Sequence, residues 1–138
     1  MVSHAISGLQ TLTTLSFLSS CMGRDLVQSV LICIPTNTIS SWKNEFKRWI
    51  STLKENSICL DDLDEAKYKK EAVNRFMSSK GPRVLLVTHQ SLRKIVDSLM
   101  DVDMVVIDEV CCNLFFSFVN PEQGTIVLVF PSLKSLLF

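Results

Sequence analysis

Short apolar runs alternate with amphipathic segments along most of the chain. Apolar runs predict buried strands at residues 30–34, 84–87 and 103–109, and residues 56–60 are a short strand candidate. Between them, apolar side chains recur at three- and four-residue spacing. This spacing predicts helices over residues 11–22, from a cap at Thr38 or Ser40 through Ile50, from the acidic segment at 61–65 to about 79, and over 91–100. The alternation predicts an α/β fold with a mostly parallel sheet flanked by helices.

Two tryptophans lie on the second predicted helix. Trp42 and Trp49 share an apolar face with Phe46. We therefore expect both rings to pack in the core, rather than to stack on nucleic-acid bases.

Length and composition allow one domain. The chain has 138 residues, of which 47% are hydrophobic, which is enough to build a core. The formal net charge is zero, so electrostatic contact with DNA would need a local cluster such as Lys43, Lys47 and Arg48. Charge balance alone predicts no partner.

The cysteines and the N-terminal segment bear on the compartment. The five cysteines are odd in number and form no C-x-x-C pair, which argues against a disulfide framework or a zinc site and favours a reducing compartment. Residues 1–23 contain no Lys, Arg, Asp or Glu. A secretory signal is disfavoured, because the cationic start is missing and polar residues interrupt the apolar run. No stretch is long and apolar enough to span a membrane.

A specific motif surrounds the exit of the first strand. This strand ends in Cys33-Ile34-Pro35, and Asn37-Thr38, Trp42, Asn44-Glu45-Phe46 and Trp49 follow. The arrangement resembles the second conserved block of the first RecA-like lobe in Snf-type superfamily 2 ATPases. These are the chromatin-remodelling DNA translocases, and the match is closest to their ATRX-like branch. The resemblance covers roughly residues 4–109.

Three further segments match the family in order. They are Leu12-Thr-Thr-Leu-Ser-Phe-Leu18, the block Thr88-His89-Gln90-Ser91, and the pair Asp108-Glu109. In the second of these, His89 is more typical of a turn residue than of a catalyst. The resemblance implies a partial RecA-like lobe at residues 11–109, preceded at residues 1–10 by a degenerate phosphate-loop region.

The resemblance also implies a site for ATP and Mg²⁺. Ungapped alignment places Gly8, Gln10 and Thr11 in the family's phosphate loop, with Gln10 at the lysine position and Thr11 at the magnesium-binding threonine. Gln10 carries no charge, and losing a charge-assisted contact of roughly 1.5–3 kcal/mol weakens phosphate binding about ten- to a hundredfold. We therefore expect poor ATP binding. Taken alone, the segment is also typical of an ordinary polar helix start.

The carboxylate pair has implied catalytic roles. By resemblance, Asp108 holds magnesium through water and Glu109 activates the attacking water. Taken alone, two carboxylates at a strand end are also typical of a solvated turn. Val110 and Cys111 stand where the family's Asp-Glu-x-His box has Gly or Ala and then His, which weakens the expected coupling of hydrolysis to DNA.

Thr36, Asn37 and Thr38 are the implied DNA-contact residues. They follow the strand where the family places contacts to the DNA backbone, and a turn of hydroxyls with free amides suits phosphate oxygens. Capping of the next helix is an alternative role for the same residues.

Composition changes sharply after Glu109. Residues 110–138 contain only Glu122 and Lys134 as charged residues, and they match nothing in the family. The codon for Val110 must begin with GT, as a donor splice site does. We interpret 110–138 as an unrelated hydrophobic tail, with a translated intron as the hypothesis for its origin.

These observations predict a fragment of an ATP-dependent, helicase-like DNA translocase of the chromatin-remodelling type. By resemblance its partner is duplex DNA or chromatin and its location is the nucleus. We expect it to be inactive by itself, because motors of this family close two lobes around ATP. The alternative is a non-enzymatic DNA- or protein-interaction module derived from that lobe. An unrelated small α/β nucleotide-binding or hydrolase domain is a third possibility, which the tryptophan block argues against.

Overall fold

Helices and strands alternate along the chain in the computed structural model. It describes the backbone of residues 2–49, 57–99, 102–108 and 126–130, and the side chains of residues 12–48, 57–99 and 102–108. The helices in these ranges are α1 (Val2–Gly23), α2 (Ile39–Trp49), α3 (Ala66–Ser78) and α4 (His89–Ile95). The strands are β1 (Ser29–Ile34), β2 (Ser57–Cys59), β3 (Arg83–Thr88), β4 (Met104–Asp108) and β5 (Ile126–Phe130).

The five strands form one sheet in the order β2-β3-β1-β4-β5, and every pairing is parallel. In the register, Ile34 at the end of β1 lies opposite Thr88 at the end of β3, and Cys33 lies opposite Ile107 of β4. The central strands are buried on both faces, which explains why they are continuous apolar runs. The predicted α/β fold with a parallel sheet flanked by helices is confirmed.

Each face of the sheet carries its own core. On one face, Val30, Ile32 and Ile34 pack with residues of α1 and α2; on the other, Leu31 and Cys33 pack with residues of α3 and α4. This separation follows from the two-residue period of a strand, which sends successive side chains to opposite faces. The result is a three-layer arrangement with the sheet between two pairs of helices.

Trp42 lies in the core under α2, as predicted, with 2% of its surface exposed. Its indole N–H has no hydrogen-bond partner within the described ranges. By area, burying a ring of this size is worth about 4–6 kcal/mol, against about 1–3 kcal/mol for an unpaired N–H, so burial dominates. The side chain of Trp49 and residue Ile50 lie outside the described residues.

Helix α1 begins at Val2 rather than at Thr11. The segment before Thr11 contains no proline and only Gly8 as a helix-weakening residue, so nothing local stops the helix from extending toward the N-terminus. Among the described residues, no helix is long and apolar enough to cross a membrane.

Two other helix predictions need correction. The predicted helix from the acidic segment begins only at Ala66, because Leu60–Asp62 form a 3-10 turn whose Asp61 side chain binds elsewhere. The predicted 91–100 helix begins earlier, at His89, and gives way after Ile95 to a 3-10 turn over Val96–Ser98. The strands agree with prediction to within about two residues, apart from residue 56 and Glu109, which lie outside the described residues.

Strand β5 comes from the segment that we assigned to a hydrophobic tail. Ile126–Phe130 pairs with Met104–Asp108 along its whole length. This strand was not predicted. The assignment of 110–138 to an unrelated tail, and of 1–10 to a phosphate-loop region, stays a prediction.

Candidate functional site

The carboxyl ends of β3, β1 and β4 meet at one edge of the sheet, because the strands are parallel neighbours. Ligands of open α/β sheets bind at this edge. It brings together the turn after β1, the start of α4 after β3, and Asp108 at the end of β4. We take this carboxyl edge as the candidate functional site.

The turn after β1 is closed on the carbonyl of Pro35. Pro35 is extended (φ −65°, ψ 149°), and both the amide and the hydroxyl of Thr38 donate to its oxygen, at 3.1 and 2.9 Å. Thr36 and Asn37 are exposed between them. The turn therefore presents the two preceding polar side chains to solvent.

Helix capping by Thr38 or Ser40 was predicted wrongly. The Thr38 hydroxyl donates to Pro35, and Ser40 lies inside α2, which begins at Ile39. A 3-10 turn over Thr36–Thr38 leads directly into α2. Contact of Thr36, Asn37 and Thr38 with DNA stays a prediction.

Asp61 joins the turn after β2 to the end of β3. Its carboxylate accepts from the Thr88 amide at 2.9 Å, from the Thr88 hydroxyl at 3.0 Å and from the Ser91 hydroxyl at 2.6 Å. Thr88 and Ser91 are 3% and 7% exposed, so these are buried donors. The Thr88 hydroxyl also accepts from the Ser91 amide, which caps α4. Asp61 therefore fixes the strand-to-helix junction at the carboxyl edge.

No specific signal along the chain marks this role of Asp61. Its main partner, Thr88, is 27 residues away, and the acidic run around Asp61 suggested a helix start instead. Only the matching family block at Thr88–Ser91 marked the other side of the contact.

His89 connects the end of β3 to the end of β4. Its Nε2 lies 2.9 Å from the carbonyl oxygen of Asp108. A carbonyl oxygen only accepts, so Nε2 carries the proton and donates. In the strand order, β1 lies between β3 and β4, so this bond spans the exit of the central strand. His89 helps to fix the backbone of Asp108, a role that sequence reasoning did not find.

The implied phosphate-loop residues are in α1. The backbone of Gly8, Gln10 and Thr11 is helical, and their side chains lie outside the described residues. Amides inside a helix donate to carbonyls four residues earlier, so they cannot wrap a phosphate as the amides of a glycine-rich loop do. The alternative for this segment, a polar helix start, is wrong in position, because α1 begins at Val2 and residues 8–11 lie inside it.

Poor binding of ATP and Mg²⁺ by this chain stays a prediction. Asp108, half-buried at the end of β4, is a candidate magnesium ligand, while Glu109 lies outside the described residues. Within the described ranges, no group of three or more His, Cys, Asp or Glu residues could hold a metal ion. The helical backbone at residues 8–11 provides no phosphate cradle.

In the predicted basic cluster of Lys43, Lys47 and Arg48 on α2, Lys43 already has an ion-pair partner within the chain. Lys43 forms an ion pair with Asp62 at 2.7 Å, and the hydrogen bond to Asp62 raises the pKa of Lys43 above its ordinary value of 10.5. Beside this pair, Cys59 lines a cavity of about 250 Å³, and burial raises the pKa of its thiol above 9.0. Of the predicted cluster, Lys47 lines the same cavity and is exposed.

Comparisons with known proteins agree with the sequence motifs. The model of the SNF2-related domain matches residues 8–112. The DNA excision repair protein ERCC-6-like of Homo sapiens is 30% identical over 83 residues, covering 60% of this chain and 6% of that protein. The transcriptional regulator ATRX homolog of Caenorhabditis elegans is 26% identical over 102 residues, covering 67% of this chain and 8% of that protein.

This chain therefore spans less than a tenth of the length of these relatives. The family match covers most of the chain and includes β1, the turn after it, the Thr88–Ser91 block and Asp108. The predicted resemblance is confirmed: this chain belongs to the family of the SNF2-related domain.

Proposed function

We propose that this chain is part of the first lobe of an ATP-dependent DNA translocase, and that by itself it binds duplex DNA without hydrolysing ATP. The DNA-contact surface is the turn Thr36–Thr38 at the carboxyl edge. Because the chain belongs to the family of the SNF2-related domain, we also assign it to the nucleus, with chromatin as its partner.

The exposed turn is the observation that supports DNA binding most strongly. The hydroxyl of Thr36 and the carboxamide of Asn37 are exposed, while the Thr38 hydroxyl is used within the turn. Exposed hydroxyl and amide donors suit phosphate oxygens, which only accept. This mode of binding positions DNA but reads no bases, so we expect little dependence on DNA sequence.

The proposed lack of hydrolysis rests on residues at the start of the chain. Gln10 stands where the family has its phosphate-binding lysine, and a helical backbone stands where the family has a loop. Both features weaken phosphate binding independently, the first through charge and the second through geometry.

The test is ATP turnover by the full chain, with and without duplex DNA. We expect no release of inorganic phosphate above the blank in either case. The same null result is expected for Asp108→Asn, which removes the candidate magnesium ligand, and for Gln10→Lys, because one restored charge does not rebuild the loop. A DNA-dependent rate that Asp108→Asn abolishes would overturn the proposal.

A second candidate is a non-enzymatic module that binds a protein partner instead of DNA. The engaged state of Lys43 favours it, because one of three candidate DNA-binding cations on α2 is already paired with Asp62. The two candidates differ in a direct way. The first candidate requires salt-sensitive binding of duplex DNA, whereas the second requires no binding of DNA.

A further inference from the structure

A groove of about 460 Å³ lies between α3 and α4, away from the turn Thr36–Thr38. Its deeper wall is the buried pair Leu60 and Val73, which are 0% and 2% exposed. The rest of the lining mixes charged, polar and apolar groups. It consists of Asp64, Ala66, Lys69, Lys70, Asn74, Ser91, Lys94, Ile95 and Ser98.

The groove is positively charged although the chain as a whole is neutral. Three lysines, Lys69, Lys70 and Lys94, and one carboxylate, Asp64, line it, whereas the formal charge of the whole chain is zero. Lysines from two helices, α3 and α4, line the same concave surface. A recess with one sign of charge raises the local concentration of oppositely charged ligands.

The lysines of the groove are available to a ligand. Lys70 and Lys94 are exposed and Lys69 is half-buried. Within the described ranges their ammonium groups make no hydrogen bond or ion pair, in contrast to Lys43, which is held by Asp62. Asp64 is the one carboxylate among the described residues that line the groove, so the three lysines outnumber it.

Other residues of the groove favour a peptide over a nucleic-acid backbone. Asn74 is exposed, and its carboxamide makes no hydrogen bond to the described part of the chain. A carboxamide both donates and accepts, as a peptide backbone requires, whereas phosphate oxygens only accept. Asp64 repels phosphates and carboxylates alike, but half-buried Ile95 offers an apolar contact that a peptide side chain can fill and a phosphate backbone cannot. A continuous polyanion fits this mixture poorly.

We propose that the groove between α3 and α4 binds an extended acidic segment of a partner protein, with carboxylates on Lys69, Lys70 and Lys94 and backbone contacts to Asn74. This surface is separate from the DNA-contact turn, so the inference stands or falls independently of the proposed function.

The test is fluorescence anisotropy of the full chain with a labelled peptide of repeated Asp-Leu-Asp units. A second peptide with Asn in place of every Asp is the ligand control. We expect the Asp peptide to bind and the Asn peptide not to bind. Raising the salt concentration should weaken binding, because exposed ion pairs are screened.

Charge-reversal variants locate the binding surface. Lys70→Glu and Lys94→Glu should each weaken binding of the Asp peptide about tenfold, since an attractive contact becomes repulsive. Lys67→Glu is the matched control, because Lys67 is exposed on α3 but does not line the groove. All three side chains are exposed, so their replacement should leave the melting temperature nearly unchanged.

Three outcomes would overturn the inference. The first is absence of binding to the Asp peptide. The second is an equal loss in Lys67→Glu, which would indicate diffuse attraction to the whole surface. The third is binding of duplex DNA that depends on Lys70 and Lys94 while the peptide binds weakly or not at all. That result would assign the groove to nucleic-acid phosphates.

Discussion

Replacement of Asp61 by alanine should destabilise the fold far more than replacement of its neighbour Asp62. Asp61 accepts three hydrogen bonds from Thr88 and Ser91, which are 3% and 7% exposed. In Asp61→Ala the two hydroxyls keep each other as partners at 3.2 Å, but the Thr88 amide loses its acceptor. An orphaned buried donor costs about 1–3 kcal/mol, and the loss of charge-assisted bonds adds to this. Because Asp61 is itself half-buried, water offsets part of the loss, and we expect about 2–3 kcal/mol in total.

Asp62 provides the matched comparison. Its ion pair with Lys43 joins side chains that are 51% and 31% exposed, and such surface pairs contribute about 0.2–1 kcal/mol. The two variants remove the same chemical group from adjacent positions. Any difference between them therefore reports the environment of the carboxylate and not its type.

Urea denaturation followed by tryptophan fluorescence measures both variants, because buried Trp42 reports on the core. The double variant Asp61→Ala/Ser91→Ala should cost clearly less than the sum of the two single changes, since the two residues share a hydrogen bond. Equal losses for Asp61→Ala and Asp62→Ala, or additive effects in the double variant, would refute the reasoning.

Three further predictions concern stability. Asp103→Ala should lower the free energy of unfolding in urea by about 1–2 kcal/mol, because the Asp103 carboxylate accepts a hydrogen bond from the Ser29 amide. The Asp103 amide in turn donates to the Ser29 hydroxyl, and this bond remains in the variant. Asp103→Asn keeps an acceptor at the side chain and should cost less. Arg83→Lys should lower the free energy of unfolding by about 1 kcal/mol, since lysine cannot reproduce the hydrogen bond from Arg83 Nε to the Phe76 carbonyl oxygen at 2.7 Å. An unchanged thermal midpoint would contradict this prediction. Burial raises the pKa of the Cys59 thiol above 9.0, so this group contributes stability below pH 9.0 that is lost as the pH rises through the folded-state pKa. Cys59→Ser should therefore make the free energy of unfolding fall less steeply at alkaline pH. An identical pH profile of stability in the variant would count against burial of the thiol.

The strands could be predicted because burial on both faces requires continuous apolar residues, and β1, β3 and β4 have them. Strand β5 has the same composition, but its assignment to a foreign tail left it without a predicted structure. The turn at the carboxyl edge was predictable from Pro35, which cannot continue a strand interior.

The polar contacts of the site were less predictable, because they join residues that are distant in sequence. The bond from His89 to Asp108 spans 19 residues, and that from Thr88 to Asp61 spans 27. Side-chain partners of this kind depend on the strand order, which local pattern does not determine. The late start of α3 has the same cause, since Asp61 binds the sheet edge instead of beginning the helix.

Binding of duplex DNA by the full chain, measured by fluorescence anisotropy with and without Mg-ATP, tests the central claim most directly. Asn37→Asp places a negative charge in the exposed turn, and Ser19→Asp places the same charge on an exposed position of α1, which leads to the opposite edge of the sheet. We expect wild-type binding that ATP does not change, a loss of about tenfold in Asn37→Asp, and almost no loss in Ser19→Asp. Equal binding by the two variants, or binding that responds to ATP, would contradict the account.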